Sequence, residues 1–182
     1  MNIMEHKEIK EWLDNLYNIH YPRWEELPDF DIYMDQVLSL LERYLGFLQL
    51  ENERIITPSM INNYVKLKLI PKPHQKKYNK THLAYLIAIM SLKQVLTISE
   101  IKDGILYQTN IVGLKKAYNG FCEMQELAIK ENISLISDDY KPIINNKVID
   151  QSSVVVILGT RAFASKIIAS HIVTTRRINK HD

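Results

Sequence analysis

The alternation of hydrophobic and polar positions predicts a mainly α-helical chain. Apolar side chains recur at helical spacing in the segments 4–19, 35–48, 58–69, 80–95, 111–130 and 153–175. Thr97 and Glu100 form a capping box, which predicts a further short helix. The run 154–158 is rich in β-branched residues, so a strand is an alternative there. Residues 131–152 are polar and irregular, and the pattern predicts no element for them.

The third of these segments has clear start and stop signals. Thr57 is a good N-cap residue, and Pro58 suits the first helical position because the N–H it lacks has no helical partner there. Pro71 and Pro73 end the helix, because the residue before a proline avoids the helical region. Residues 71–78 are too rich in proline and charge for another helix, so we expect a two-stranded ribbon or an extended loop.

Composition indicates a globular protein of a reducing compartment. Apolar residues make up 46% of the 182 residues, which is enough to bury a core. Cys122 is the single cysteine, so no disulfide can form within the chain. The N-terminus lacks the apolar core of a signal peptide. The most apolar late stretch contains Arg161, Lys166 and His171, which a membrane span rarely tolerates. We therefore expect a soluble, cytoplasmic protein without membrane contact.

Positive charge is concentrated in the middle of the chain. Between Arg54 and Lys102 the sequence has nine lysine or arginine residues and one acid, Glu100, although the net charge of the whole chain is only +2. Clustered charge of this kind indicates a polyanionic partner. A solvated, lysine-rich face without a partner is the alternative.

The side chains around this charge predict contacts to double-stranded DNA. The outer face of the third helix offers amide and hydroxyl groups that can read base edges, and its N-terminus favours a phosphate. The loop that follows offers cations for the flanking backbone. The predicted contacts are Thr57, Ser59, Asn62, Asn63, Lys66, Lys68, Lys72, Lys76, Lys77 and Tyr78. The alternatives are that the asparagines are solvated without a partner and that the tyrosine packs in the core.

Residues 63–71, NYVKLKLIP, resemble the segment of MerR-type winged helix-turn-helix regulators that ends the recognition helix and enters the wing. Gln75 to Tyr78, with Leu83 after them, are similar to the wing pattern of that family. The resemblance implies a winged helix-turn-helix fold that binds DNA. It also implies a homodimer formed through a helix after the DNA-binding unit.

A second resemblance covers more of the chain. The stretches LPDFDIYMDQVLSLLERYL, ITPSMINNYVKLKLIPKP and KKYNKTHLAYLIAIMSLKQVLTISEIK are similar to a bacterial family named domain of unknown function 1836, over about residues 22–130. This resemblance implies a fold and no activity.

The chain departs from the MerR-type pattern at Asn62 and Lys76, where that pattern has arginine, and at Lys68, where it has glycine. Lysine binds a phosphate as a point charge, without the planar fork of arginine.

We predict three regions along the chain. Residues 1–34 form an N-terminal helix and an irregular lead-in, residues 35–104 a winged helix-turn-helix region, and residues 105–182 a helical region for dimerisation or sensing. An apolar stripe of the last region can either form the homodimer or pack inside the monomer; it consists of Leu114, Tyr118, Phe121 and Leu127. A small-molecule effector would bind in an apolar pocket between the C-terminal helices.

Enzyme signatures are absent from the sequence. It contains no glycine-rich phosphate loop, no G-x-S-x-G and no H-E-x-x-H. The six histidines lack a persuasive ligand spacing, and Cys122 lies in an apolar stripe that is typical of a core residue. We therefore predict no enzyme, no cofactor and no metal site. The alternative to a DNA-binding regulator is a helical protein-interaction or adaptor module whose basic surface faces an acidic protein.

Overall fold

The structure is a computed structural model that describes residues 7–48, 55–136, 139–140 and 151–178. Within them the fold is mainly helical, as predicted. In chain order the α-helices are α1 (Lys7–Tyr17), α2 (Met34–Leu45), α3 (Pro58–Lys66), α4 (Lys80–Leu92), α5 (Ile98–Val112), α6 (Leu114–Ser134) and α7 (Val154–Ile178). Short 3-10 helices follow α2 at Gly46–Leu48 and precede α7 at Gln151–Ser153.

The chain divides into two compact units. The middle unit is Pro22–Cys122, and the terminal unit combines Met1–Tyr21 with Glu123–Asp182. These bounds differ from the three predicted regions at 1–34, 35–104 and 105–182. The lead-in after Tyr21, α5 and the start of α6 lie in the middle unit. The functional division into three regions stays a prediction.

Helix α4 is the centre of the middle unit's core. Nine of its thirteen residues are buried, namely His82–Ala84 and Leu86–Ser91. A helix that is apolar on nearly all sides is typical of a core element. It packs against α2 and α5, which bury Val37, Leu41, Leu45 and Ile101. Full burial of one such aliphatic side chain contributes about 1.5–3 kcal/mol, so this layer holds the unit together.

After α4, the boundary between two helices lies at a different residue from the predicted one. The pattern predicted a short helix from Thr97 and a second helix from about Ile111, whereas α5 runs for 15 residues, up to Val112. Gly113 follows with a φ of 78°, a conformation that glycine adopts without strain. The chain therefore turns there, and α6 starts at Leu114. Helix α6 then extends to Ser134, into a segment for which no element was predicted.

Residues 154–158, for which a strand was the alternative, are helical and form the start of α7. By length and composition alone the stretch Val154–Thr175 of this helix could cross a membrane, but core helices of soluble proteins meet the same criterion. Within the terminal unit, Arg161 of α7 binds the carboxylate of Glu131 on α6 at 3.2 Å.

Helix α1 packs on α7 in the terminal unit. The indole of Trp12 stacks on the ring of His171, with 3.9 Å between the ring centroids. The hydroxyl of Tyr140 donates a hydrogen bond of 2.6 Å to the carboxylate of Asp14 on α1. These contacts fix α1 through its aromatic and acidic residues as well as through its apolar stripe.

The apolar stripe that we considered for a dimer lies inside the chain. Tyr118 and Phe121 are buried, and Leu114 and Leu127 are half-buried. The hydroxyl of Tyr118 donates a hydrogen bond of 2.7 Å to the carbonyl oxygen of Pro22. Tyr118 and Phe121 therefore pack within the monomer, and the homodimer stays a prediction.

Candidate nucleic-acid interface

Helix α3 presents a polar outer face because its inner face is anchored in the core. The Oγ1 atom of Thr57 accepts a hydrogen bond of 3.3 Å from the N–H of Met60, and Pro58 occupies the first turn. Ile61 and Tyr64 are buried on the inner side. The outer face exposes four polar side chains, which are Ser59, Asn62, Asn63 and Lys66. All four can donate hydrogen bonds to a ligand on the solvent side.

The end of α3 places a lysine in a left-handed backbone conformation. Lys68 has a φ of 54°. Its N–H bonds to the carbonyl of Val65 at 3.0 Å, and the N–H of Leu69 bonds to the carbonyl of Tyr64 at 2.9 Å. These two bonds form a Schellman cap, whose left-handed residue is usually glycine. Lys68 thus adopts a backbone conformation that is usual for glycine, and its cationic side chain is exposed.

Residues 71–78 form a loop with a tight hairpin turn. His74 and Lys77 pair as an isolated antiparallel bridge, and Gln75 and Lys76 between them have φ angles of 48° and 63°. Positive φ at both central positions is what a type I′ turn requires, and Asn-Gly fills that turn best. The side chain of Lys76 is exposed in this turn.

Tyr78 anchors the loop to the core. Its backbone exchanges two hydrogen bonds of 2.8 Å with Ile32. The residue is only 3% exposed, and its ring lies edge-on to the ring of His82, with 5.3 Å between the centroids. The structure therefore places Tyr78 in the core, as the packing alternative had it, and we leave this residue out of the proposed interface.

Asn79 fixes the start of α4 and with it the second end of the loop. Its side-chain oxygen accepts hydrogen bonds from the N–H groups of Thr81 at 3.1 Å and His82 at 3.4 Å. The Nδ1 atom of His82 lies 3.1 Å from the backbone nitrogen of Asn79. Burial lowers the pKa of His82, so its ring is neutral at pH 7 and adds no charge to the neighbouring lysines.

The cations of the basic segment divide into partnered and unpartnered groups. Lys80 binds the carboxylate of Asp29 at 2.6 Å, and the ammonium group of Lys77 lies 5.5 Å from the ring centre of Tyr33. Arg54 lies outside the described residues. Among the described residues, no carboxylate pairs with the ammonium groups of Lys66, Lys68, Lys72 and Lys76.

Three of these lysines line a groove together with Lys102, which was not among the contacts predicted from the sequence. Lys66, Lys68 and Lys72 line a groove of about 450 Å³ together with Lys102 of α5. Lys76 and the asparagines of α3 do not line it. The sequence showed Lys102 only as the end of a charged segment, because the elements that line a common groove are brought together by tertiary packing.

One family model, described as "Domain of unknown function (DUF1836)", matches residues 22–121. The match covers more than half of the chain, and its bounds agree with those of the middle unit to within one residue. No curated protein and no solved structure matches the chain. The residues of the candidate interface all lie within the matched range.

Proposed function

The chain belongs to the DUF1836 family, and we propose that its family domain is the DNA-binding part of a transcriptional regulator. In this proposal α2, α3 and the loop of residues 71–78 act as a MerR-like winged helix-turn-helix. Helix α3 enters the major groove, and the loop lies on the phosphate backbone as the wing. We further propose that the protein acts in the cytoplasm as a homodimer.

The observation that carries the proposal is a set of exposed lysines without acidic partners among the described residues, namely Lys66, Lys68, Lys72 and Lys76. Other cations of the same unit do bind acids. Lys80 pairs with Asp29, and Lys115 pairs with Glu25. The hydrogen bond from Lys115 is the largest of the causes that lower the pKa of Glu25 to about 2. Solvated ammonium groups that are not neutralised within the protein are what binding to phosphates uses.

Backbone conformation at two of these lysines supports the same proposal. Among the described residues, positive φ angles outside glycine occur at Lys68, Gln75 and Lys76. The left-handed conformation costs an L-residue about 1–2 kcal/mol, and glycine avoids most of that cost. Strained residues cluster at functional sites. A lysine in each of two glycine-like positions is consistent with a cation that serves binding more than folding.

The exposed groups of α3 suit two kinds of contact, one that reads the bases and one that positions the helix on the phosphate backbone. Asn62 and Asn63 carry amides that can bond adenine bidentately in the major groove. Thr57 and Ser59 lie at the N-terminus of the helix, whose free N–H groups favour a phosphate. In this proposal the asparagines set sequence preference, while the lysines set affinity and its dependence on salt.

We propose a homodimer because a single DNA-binding module of this size is small. A single small DNA-binding module buries only about 600–1,000 Å² of protein surface, and a dimer on two half-sites buries about twice as much. Helix α5, which follows the proposed wing and α4, exposes the apolar side chains of Tyr107, Ile111 and Val112. These residues support a dimer through the family domain, in place of the buried stripe on α6.

Replacing Lys68 with glycine is expected to stabilise the fold and weaken DNA binding at the same time. Glycine relieves the left-handed backbone, so the free energy of unfolding should rise by about 0.5–1 kcal/mol. The lost cation should make the salt dependence of DNA binding shallower by about 0.9 in log–log slope. Urea denaturation measures the first effect, and binding to a duplex at several salt concentrations measures the second.

The matched control for this glycine is Lys68→Ala. Alanine removes the same charge but keeps the unfavourable backbone, so it should lower DNA affinity equally without the gain in stability. Glycine and alanine variants that both bind DNA like the unmodified protein would remove Lys68 from the interface.

Salt dependence tests the proposal against an adaptor module that binds an acidic protein. The full-length protein is titrated into a fluorescent duplex of random sequence at a series of salt concentrations. The logarithm of the binding constant should fall linearly with the logarithm of salt, by about 0.9 for each phosphate neutralised. Absence of duplex binding at low salt would contradict a role in DNA binding and favour the adaptor alternative.

A further inference from the structure

We propose that the groove at the end of α3 binds a small anionic molecule with an apolar body. The groove lies within the middle unit and has a volume of about 450 Å³, within the range of about 300–1,000 Å³ that is typical of small-ligand sites. It is built from the end of α3, the turn after it, one residue of α4 and one face of α5.

The cations that line the groove select an anion. The four cations are Lys66, Lys68, Lys72 and Lys102, and no acidic residue of the described ranges lines the groove. None of the four forms an ion pair with another described side chain. Because like charges gathered at one concave site repel each other, a bound anion relieves that repulsion, and the local potential attracts it.

The apolar side chains that line the groove select an apolar body. Lys102, Ile105 and Leu106 are spaced i, i+3 and i+4, so they share one face of α5 and place a cation beside two aliphatic side chains. Ile70 and Tyr85 line the groove from the other elements. A bare inorganic anion would leave this apolar surface uncovered, and a neutral hydrocarbon would leave the lysines uncompensated. A carboxylate or phosphate attached to a hydrocarbon or aromatic body satisfies both.

An occupied groove would also oppose DNA binding, a consequence that rests on the proposed function. Three of its four lysines, Lys66, Lys68 and Lys72, belong to the proposed DNA interface. An anion held among them neutralises charge that the phosphates would otherwise meet. The ligand would therefore act as a competing effector on the family domain itself, and not through a pocket between the C-terminal helices.

The direct test is calorimetric titration of the full-length protein with decanoate, kept below its micellar concentration, with decanol and decyltrimethylammonium as neutral and cationic controls. Decanoate should bind, and the two controls should bind at least about tenfold more weakly. Lys102→Ala should weaken decanoate binding about tenfold. Because Lys102 is outside the proposed DNA interface, that variant should bind DNA normally. Lys116→Ala, an exposed lysine of α6 outside the groove, is the matched control and should change neither.

A second variant tests the apolar lining of the groove independently of charge. Leu106 is 47% exposed, so Leu106→Gln is expected to fold normally and to weaken decanoate binding as well. Equal affinity for decanol and decanoate, or decanoate binding that ignores both substitutions, would overturn the inference. Displacement by polyglutamate but not by decanoate would assign the groove to an acidic peptide and overturn it too. Decanoate affinity that falls as protein concentration rises would assign the groove to a second copy, with the same consequence.

DNA binding separates this inference from the proposed function. Decanoate should raise the apparent dissociation constant for duplex DNA, and it should do so less in Lys102→Ala. Decanoate binding that depends on Lys102 in a protein with no DNA binding would overturn the proposed function and leave the groove assignment standing. DNA binding without decanoate binding would do the reverse.

Discussion

Exchanging Lys72 for alanine and Lys76 for asparagine together is expected to lower the affinity for duplex DNA by about 10- to 100-fold near 0.1 M salt. Both side chains are exposed and lack an acidic partner among the described residues. The log–log salt slope should become shallower by up to about two units, since each lysine on a phosphate contributes about 0.9. Asparagine suits position 76 because it tolerates the positive φ of the turn.

The control for this double variant is Lys7→Ala with Lys116→Ala. It removes the same two charges from exposed positions outside the proposed interface, so it tests whether net charge alone explains the loss. We expect its salt slope to match that of the unmodified protein. Equal losses in the two double variants would show that the lysines act through the overall field and not as the wing of a docked domain.

Tyr118→Phe is expected to lower the free energy of unfolding by about 1–3 kcal/mol, although it removes a single oxygen atom. That hydroxyl donates to the buried carbonyl of Pro22 at 2.7 Å, and burial raises the pKa of Tyr118, so the donor proton is retained throughout the accessible pH range. Without it, the nearest remaining donor to the carbonyl is the thiol of Cys122 at 3.7 Å, a weak one. Urea denaturation with an unchanged m-value measures the loss.

Tyr107→Phe is the matched control for this substitution. Tyr107 lies on α5 with half of its surface exposed, so loss of its hydroxyl should change stability by no more than about 0.5 kcal/mol. A Tyr118→Phe protein as stable as this control would mean that the bond to Pro22 does not hold the start of the family domain on α6.

Local sequence signals predicted most of the helices of this chain. Thr57 with Pro58 and Thr97 with Glu100 each mark a helix start that the structure has at the same residue. These signals work because capping is satisfied within a few residues of chain. The end of α5 was missed because Gly113 stands inside a continuous apolar pattern, and only its positive φ ends the helix.

Sequence patterns described the candidate interface less completely, because its residues come together through tertiary packing. The outward positions of α3 follow from the buried pair Ile61 and Tyr64, and Asn62 and Lys66 are exposed as that period requires. The sequence left Tyr78 open between a DNA contact and core packing, since its burial depends on pairing with Ile32, which lies 46 residues earlier. The groove contribution of Lys102 depends likewise on where α5 packs.

The most direct test of the central claim is a selection of bound fragments from a random duplex library, with the full-length protein at moderate salt. A DNA-binding regulator that docks α3 in the major groove as a dimer should enrich an inverted repeat, with half-sites about one helical turn apart, or a multiple of it. Asn62→Ala should alter the enriched sequence more than the salt dependence. Recovery of no preferred sequence from a library that the protein visibly binds, or of no DNA at all, would contradict the claim.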